Sequence, residues 1–238
     1  MTIAILSALP EEQAGMLGLL DKPECIQRAG REFWCGTVHK RPVVLALSRV
    51  GKVAAATTAT TLIEHFGAQS IVFTGVAGGL AAHVQVGDVV IGTQYVQHDM
   101  DATPLFARYE VPLYGRSRFE ADQKLTATVL EAARAQFFLA SASKKLNIHQ
   151  GLIASGDSFI HSAAEVQALR AALPDALCVE MEGAAVAQVS FDYQIPFVAV
   201  RTISDRADDN AHIDFQQFVC DVAGPYAMRL VDALMRKL

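Results

Sequence analysis

Ala176-Leu177-Cys178-Val179-Glu180-Met181-Glu182-Gly183-Ala184-Ala185 decides how this chain folds. A short apolar run, suited to a buried strand, leads straight into two carboxylates. The stretch Ala184 to Val189 that follows reads as an amphipathic helix. Strand, charged turn and helix in succession form the unit of an α/β sheet, where ligands bind beyond the carboxyl ends of the strands. Charged groups in such a place are costly unless they are paired or hold a polar ligand. The pattern recurs twice. Phe197-Val198-Ala199-Val200 ends in Arg201-Thr202-Ile203-Ser204-Asp205, and Ile3-Ala4-Ile5-Leu6 ends in Pro10-Glu11-Glu12. Three strand ends can therefore deliver acids to one site.

Working outward, Met1 to Ala8 reads as a buried strand, and Pro10 suits the first turn of a helix running to about Leu20. Phe33 to Val38 and Val43 to Ser48 form a strand pair around Lys40-Arg41-Pro42. Gly51 opens a helix to Phe66 with Ala55, Ala59, Leu62, Ile63 and Phe66 on one face. Further strands are expected at Ser70 to Thr74, Asp88 to Val96 and Ile148 to Ala154. Further helices are expected at Ala121 to Phe137, Ser162 to Ala172 and Phe215 to Leu238. Phe138 to Asn147 reads as an exposed connection. Asp101 to Glu120 lacks periodicity, is broken by Pro104, Pro112 and Gly115, and carries Leu105, Phe106, Tyr109 and Tyr114. A long loop of that kind is a functional segment or a partner surface. The expected architecture is a three-layer α/β/α single domain, residues 1–238, around a central mixed sheet.

The bulk numbers set outer bounds. Hydrophobic residues make up 52% of the 238 and charged residues 19%, which requires a large core and excludes general disorder. A net charge of −5 argues against a nucleic-acid-coating protein. No run approaches the ~18 apolar residues of a membrane span. The N-terminal apolar run is short and lacks a basic flank, so no signal peptide is expected. Cys25, Cys35, Cys178 and Cys220 have no CxxC spacing and read as reduced thiols of a cytoplasmic protein. No His/Cys cluster has metal-ligand spacing, so neither metal nor cofactor is expected.

Several motifs carry two readings each. Gly75-Val76-Ala77-Gly78-Gly79 after a strand is either a tight turn or a loop where backbone approaches a ligand. It matches neither the dinucleotide nor the P-loop pattern. Phe159, in Ser155-Gly156-Asp157-Ser158-Phe159-Ile160, is either a core aromatic or a ring that stacks on a flat ligand. His98-Asp99 is a structural pair or part of the site, and Asp88 is a turn residue. Arg49 is a solvated side chain or faces an anion. Glu11 and Glu12 can simply favour a helix N-terminus. His161 and His212 receive no role.

Taken together, IAILSALPEE (3–12), GKVAAA (51–56), TGVAGGL (74–80), Val86 to Val89 with His98-Asp99, GLIASGDSFI (151–160), VEMEGA (179–184) and VRTISDRAD (200–208) resemble the nucleoside phosphorylase/hydrolase superfamily. Within it they look most like 5′-methylthioadenosine/S-adenosylhomocysteine nucleosidases. Each segment alone is weak; seven in order along nearly the whole chain are specific. The resemblance implies a nucleoside phosphorylase-like fold, a homodimer, and hydrolysis of the N-glycosidic bond of 5′-substituted adenine nucleosides. The candidates are methylthioadenosine, adenosylhomocysteine, 5′-deoxyadenosine and 6-amino-6-deoxyfutalosine. It implies Glu12 as the base that activates water, Glu182 as the ribose diol clamp with Met181 packed on the sugar, and Asp205 as the acid at purine N7. Phe159 would stack on the base, Ile160 would read its edge through the backbone, and Arg201 would lie in the ribose and water region. Val76, Ala77, Gly78 and Ser204 would line the site, and Val50 the 5′ pocket.

An acid that protonates adenine must itself hold a proton, which burial favours, whereas the base must stay ionised. Superfamily phosphorylases bind phosphate with glycine and arginine after the first strand. Here Ala8-Leu9-Pro10-Glu11-Glu12 places carboxylates there, which repel phosphate. Departures from the family are Arg49 in place of a small residue, Val76 where serine is common, Gly183 for alanine, a divergent Tyr95 to Phe119 and an apparent insertion at Phe138 to Lys145. Arg49 keeps phosphorolysis open as an alternative. A non-catalytic nucleoside-binding or storage protein is the other.

Overall fold

The structure is a computed structural model that describes residues 1–13, 15–140, 147–206 and 215–238. The elements in chain order are β1 (Thr2–Ser7), α1 (Pro10–Gln13), β2 (Asp21–Arg28), β3 (Arg31–Val38), β4 (Arg41–Leu47), α2 (Lys52–Phe66), β5 (Ala68–Gly79), β6 (Val89–Gln97) and β7 (Arg118–Glu120). They continue with α3 (Gln123–Ala140), β8 (Ile148–Ser155), α4 (Ala163–Ala172), β9 (Ala176–Glu180), α5 (Gly183–Asp192), β10 (Phe197–Asp205), α6 (Phe215–Phe218) and α7 (Gly224–Lys237).

The strands form one mixed sheet. β1 lies parallel between β4 and β5, and the antiparallel run β4-β3-β2 extends one edge. On the other side the sheet closes on itself: β5 pairs with β10, β10 with β6, β6 with β8, β8 with β9, and β9 returns to β5. That closure brings the carboxyl ends of β5, β9 and β10 together.

Alternation along the strands makes a core on each face. Ala4, Leu6, Ile71 and Phe73 pack under α2 and α5 with Ala55, Ala59, Leu62 and Val186. Ile3, Ile5, Val72 and Val198 face the other way, against Leu125 and Val129 of α3 and Leu230 and Leu234 of α7. A smaller core joins Leu152 and Ala154 to Val166 and Leu169 of α4. Each fully buried aliphatic side chain contributes about 1.5–3 kcal/mol through area removed from water.

The three-layer α/β reading holds, with corrections in detail. The glycine run is not a loop but the last five residues of β5, paired to β10 from Gly75–Arg201 to Gly78–Asp205 and to β9 through Gly78–Val179 and Gly79–Cys178. β10 runs on through Asp205 for the same reason. The helix opened by Pro10 stops early: Gly15 at φ 84 precedes a 3-10 turn, Met16–Leu19. β2 was not expected, because Asp21 to Arg28 is polar, exposed and holds Pro23; a sheet edge tolerates all three. The last helix is interrupted by a π turn, Val219–Ala223. The long loop holds β7 and a Val111–Arg116 bridge. Of the supposed insertion, Phe138–Ala140 continue α3, and 141–146 lie outside the described residues, as do His212 and the end of the VRTISDRAD segment.

Candidate active site

A cavity of about 230 Å³ opens where the strand ends converge. α1 contributes Glu12, the turn after β4 contributes Val50, and β5 contributes Val76, Ala77 and Gly78. The segment after β8 adds Phe159 and Ile160, that after β9 adds Met181 and Glu182, and β10 adds Ser204 and Asp205. The three acids thus face one space, and of the residues to which the resemblance gave a place in the site only Arg201 does not line it.

Glu12 is 2% exposed and wholly engaged by backbone. Its Oε2 accepts from the amides of Ala8 at 2.7 Å and Leu9 at 3.0 Å, and its Oε1 from the amide of Val76 at 3.0 Å. Burial raises its pKa above the usual carboxylate value, against the pull of those amides and of the Arg201 charge. Gly75 makes this approach feasible. A Cβ there would stand 2.8 Å from Glu12 Oε1 and 3.2 Å from Arg201 Nη1.

Arg201 is 1% exposed and lies behind the wall instead of in it. Its Nη2 and Nε donate to Glu180 Oε2 at 2.6 and 3.2 Å, its Nη1 donates to the Phe73 carbonyl at 3.2 Å, and its guanidinium sits 4.2 Å over the Phe73 ring. Its place is that of a buried counter-charge. Glu180, which carried no chemistry in the sequence, is that pair's other half. Its carboxylate also accepts from the amides of Glu182 and Gly183 and from the Ser155 hydroxyl, and Ser155 Oγ accepts from the Ala184 amide. Glu180 therefore fastens the turn that opens α5, where negative charge is favoured. Two acids spaced i and i+2 at a strand end were the visible signal; which of them turned inward was not.

Glu182 is 5% exposed, and its Oε1 accepts from the Gly51 amide at 2.8 Å. Burial and the neighbouring Glu180 charge push its carboxyl up to about 8, partly offset by the Gly51 amide and Arg201. Phe159 is 48% exposed and stacks on His161 with ring centroids 6.0 Å apart, so it is a rim aromatic and not a core residue. Asp205 is half-buried, and its Oδ2 accepts from the Ser204 hydroxyl at 2.6 Å.

The remaining candidates fall elsewhere. Arg49, at φ 64, donates to the Gly30 carbonyl and lines a separate hollow with Arg31 and Trp34, outside the lining of the cavity. Asp99 pairs with Lys52 at 2.7 Å, while His98 is buried beside it. Asp88 is buried and does more than close a turn: it accepts from the amides of Gln85 and Asn147, each at 3.0 Å, and lies 2.8 Å from His149 Nε2. His161 contacts the Phe159 carbonyl through Nδ1 at 3.0 Å. Among the described residues no three His, Cys, Asp or Glu side chains gather to hold a metal ion.

This arrangement offers a buried carboxylate held by three amides, a second carboxyl opposite an exposed aromatic, and a third on the neighbouring strand. Such a set can hold a polyhydroxylated ring, stack a flat base and move protons at two points.

Known proteins are similar to this chain along its whole length. The family model of the phosphorylase superfamily matches residues 2–236. A 5′-methylthioadenosine/S-adenosylhomocysteine nucleosidase from Neisseria meningitidis, solved with methylthio-immucillin-A, is 34% identical with a TM-score of 0.92, covering 100% of this chain and 99% of that one. An S-adenosylhomocysteine nucleosidase from Streptococcus pyogenes, solved with a methylthiotubercidin, is 33% identical with a TM-score of 0.90, covering 100% and 97%. A futalosine hydrolase of Helicobacter pylori is 32% identical with a TM-score of 0.90, covering 100% and 98%. All three similar proteins are hydrolases by name, and nothing in these likenesses favours the phosphorylase alternative. The chain belongs to the phosphorylase superfamily, in the group that holds the 5′-methylthioadenosine/S-adenosylhomocysteine nucleosidases.

Proposed function

We propose that this protein is a nucleosidase that cleaves the N-glycosidic bond of 5′-substituted adenosines with water, releasing adenine, and that residues 1–238 act as one domain. The observation that carries hydrolysis over phosphorolysis is the environment of Glu12. The amides of Ala8, Leu9 and Val76, donors of the kind that would hold a phosphate, are already taken by the protein's own carboxylate. An anion entering there meets both a filled nest and a like charge. Glu12, once ionised, can orient water at the anomeric carbon. Glu182 is the acceptor for the ribose hydroxyls, with Met181 beside the sugar. Phe159 and Ile160 take the base, and Asp205 delivers the proton that makes adenine a leaving group. Arg201 acts at one remove, through Glu180 and the field at Glu12. The test is a panel of adenosines varying only in the 5′ group, assayed for adenine. Release without phosphate is expected; an absolute phosphate requirement with a ribose 1-phosphate product would overturn the reading.

A pH consequence follows for Glu182. In the free protein its carboxyl, raised to about 8, holds its proton at pH 7. Ribose hydroxyls donate hydrogen bonds to the carboxylate form, so binding lowers the pKa and expels that proton. Between the lowered pKa and about 8, binding therefore releases a proton; well below that window it does not. A 7-deaza nucleoside such as methylthiotubercidin has no N7 to protonate, which leaves Asp205 out of the count. Its calorimetric binding enthalpy at pH 7 should vary with the buffer's ionisation enthalpy in the sense of release, and Glu182→Gln should remove the variation. Buffer-independent enthalpy in the unmodified protein would mean that Glu182 does not release a proton when the ribose binds.

The protein is proposed to act in the cytoplasm as a homodimer with small-molecule nucleosides as its partners. No helix among the described residues is long and apolar enough to cross a membrane. The dimer is supported by exposed apolar side chains: Val50 of the cavity wall at 51%, Val53 on α2 at 79%, and Leu105 and Leu113 of the long loop at 84% and 92%. The long loop joins the end of α5 through Tyr114, whose hydroxyl donates to Asp192 at 2.8 Å. A groove between α2 and α5, lined by Val53, Ala56 and Val189, continues the surface. Light scattering at micromolar concentration should give twice the chain mass; a monomer would refute the assembly.

A further inference from the structure

The base side and the sugar side of the cavity are tied to one point, the amino end of α2. The Gly51 amide donates to Glu182 Oε1 at 2.8 Å, and the next amide, that of Lys52, donates to Asp157 Oδ1 at 2.7 Å. Asp157 begins the segment that carries Ser158, Phe159 and Ile160. Its own amide donates to Asp99 Oδ2 at 2.9 Å, while Asp99 Oδ1 accepts from Lys52 Nζ at 2.7 Å. The result is a closed ring of hydrogen bonds: Lys52 amide, Asp157 side chain, Asp157 amide, Asp99 carboxylate, Lys52 ammonium. Lys52 Nζ also donates to Gln97 Oε1 at 3.0 Å, and Gln97 Nε2 to Gln188 Oε1 at 2.7 Å, which roots the ring in β6 and α5. Three segments distant in sequence are thereby held in one register.

Other features agree with this. Gly51 has φ 96, and a Cβ on it would stand 3.1 Å from Asp157 Oδ1, so the contact depends on a bare backbone. Burial opposes ionisation of Asp99, but its hydrogen bonds to Lys52 and the Asp157 amide hold the carboxyl below its usual range. Asp99 thus stays ionised at neutral pH. None of Lys52, Asp99 or Asp157 lines the cavity. An isolated exposed ion pair contributes little. Here each charged group also engages backbone or a second side chain, and a misplaced binding segment is penalised far more than its own bond energies suggest.

We propose that Asp99 and Lys52 are positioning residues. They lock the Phe159 segment at a fixed distance from Glu182, and so set affinity for the adenine base without touching it. The proposal rests on the reading above that Phe159 and Ile160 receive the base.

The test uses the full-length protein with adenine as the probe, together with methylthioadenosine kinetics, in Asp99→Ala, Lys52→Met and Lys52→Arg. In Asp99→Ala and Lys52→Met the dissociation constant of adenine and KM should rise together by about tenfold, with kcat within about twofold. Lys52→Arg, which keeps the charge, should recover most of the loss. Melting temperatures check folding, and if Asp99→Ala does not fold, Lys52→Met carries the test. A cycle with Phe159→Ala separates positioning from general support: once the Phe159 side chain is gone, Asp99→Ala should cost less adenine affinity than it does in the unmodified protein, the remainder passing through Ile160. Equal adenine affinity in folded Asp99→Ala, or full additivity with Phe159→Ala, overturns the proposal while leaving the nucleosidase reading intact. A wild-type protein that neither binds adenine nor releases it overturns both.

Discussion

Asp205→Asn lowers kcat on methylthioadenosine by about 10²- to 10⁴-fold, the range a positioned general acid supplies. Adenine leaves poorly as an anion, and an amide has no acidic proton to place on N7. The substitution keeps the size of the side chain, and Ser204 Oγ can still donate to the remaining oxygen at the position now 2.6 Å away. Folding and nucleoside binding should therefore survive, with a melting temperature near that of the unmodified protein. The decisive control is a riboside whose leaving group departs without protonation, such as a nitrophenolate. Asp205→Asn should cleave it nearly as fast as the unmodified protein does. An equal loss on both substrates would mean that the damage is general and that Asp205 is not the proton donor.

Glu12→Gln gives the complementary pattern: a loss of about 10²- to 10⁴-fold on adenine nucleosides and nitrophenyl ribosides alike. Water must be oriented for either leaving group. The local geometry sharpens the expectation, because both carboxylate oxygens of Glu12 accept amide hydrogen bonds, from Ala8 and Leu9 on one side and Val76 on the other. A glutamine has one acceptor and one NH₂, so at one of these places a donor faces a donor inside a buried pocket. That mismatch costs about 1–3 kcal/mol of stability, visible as a lowered melting temperature. Binding of a methylthiotubercidin should persist, since Glu182 and Phe159 are untouched. A Glu12→Gln variant that stayed fast on both substrates would remove the water-activating role. The two substitutions act on one transition state, so their combination should cost less than the product of the separate losses.

The sequence was readable where its signals were local. Ile3 to Leu6 and Phe197 to Val200 are apolar runs of strand length, and the helical spacing of Ala55, Ala59 and Leu62 marks one face of α2. The acids that follow three strands could be paired with a cavity because strand ends in an α/β sheet meet on one side. Legibility failed where a non-local partner decided the outcome. Gly75 to Gly79 has the composition of a loop, yet it is strand because β9 and β10 flank it, and the bare backbone at Gly75 admits Glu12 and Arg201 beside it. Asp21 to Arg28 has poor strand composition and is strand because β3 offers an edge. Arg49 looked able to reach an anion, but a left-handed backbone sends it to the Gly30 carbonyl.

By itself, then, the sequence determined the layered α/β class, the family and the acids worth watching, since periodicity and ordered motifs are properties of neighbouring residues. Only the tertiary structure decided which partner each acid meets. Glu180 and Glu182 differ by two positions and by nothing in composition, yet one meets the Arg201 guanidinium at 2.6 Å and the other the Gly51 amide at 2.8 Å across the cavity. The physical reason is that ionisation and orientation depend on burial and on charges brought from β10 and α2, and the closure of the sheet, not the spacing of the acids, puts those partners there.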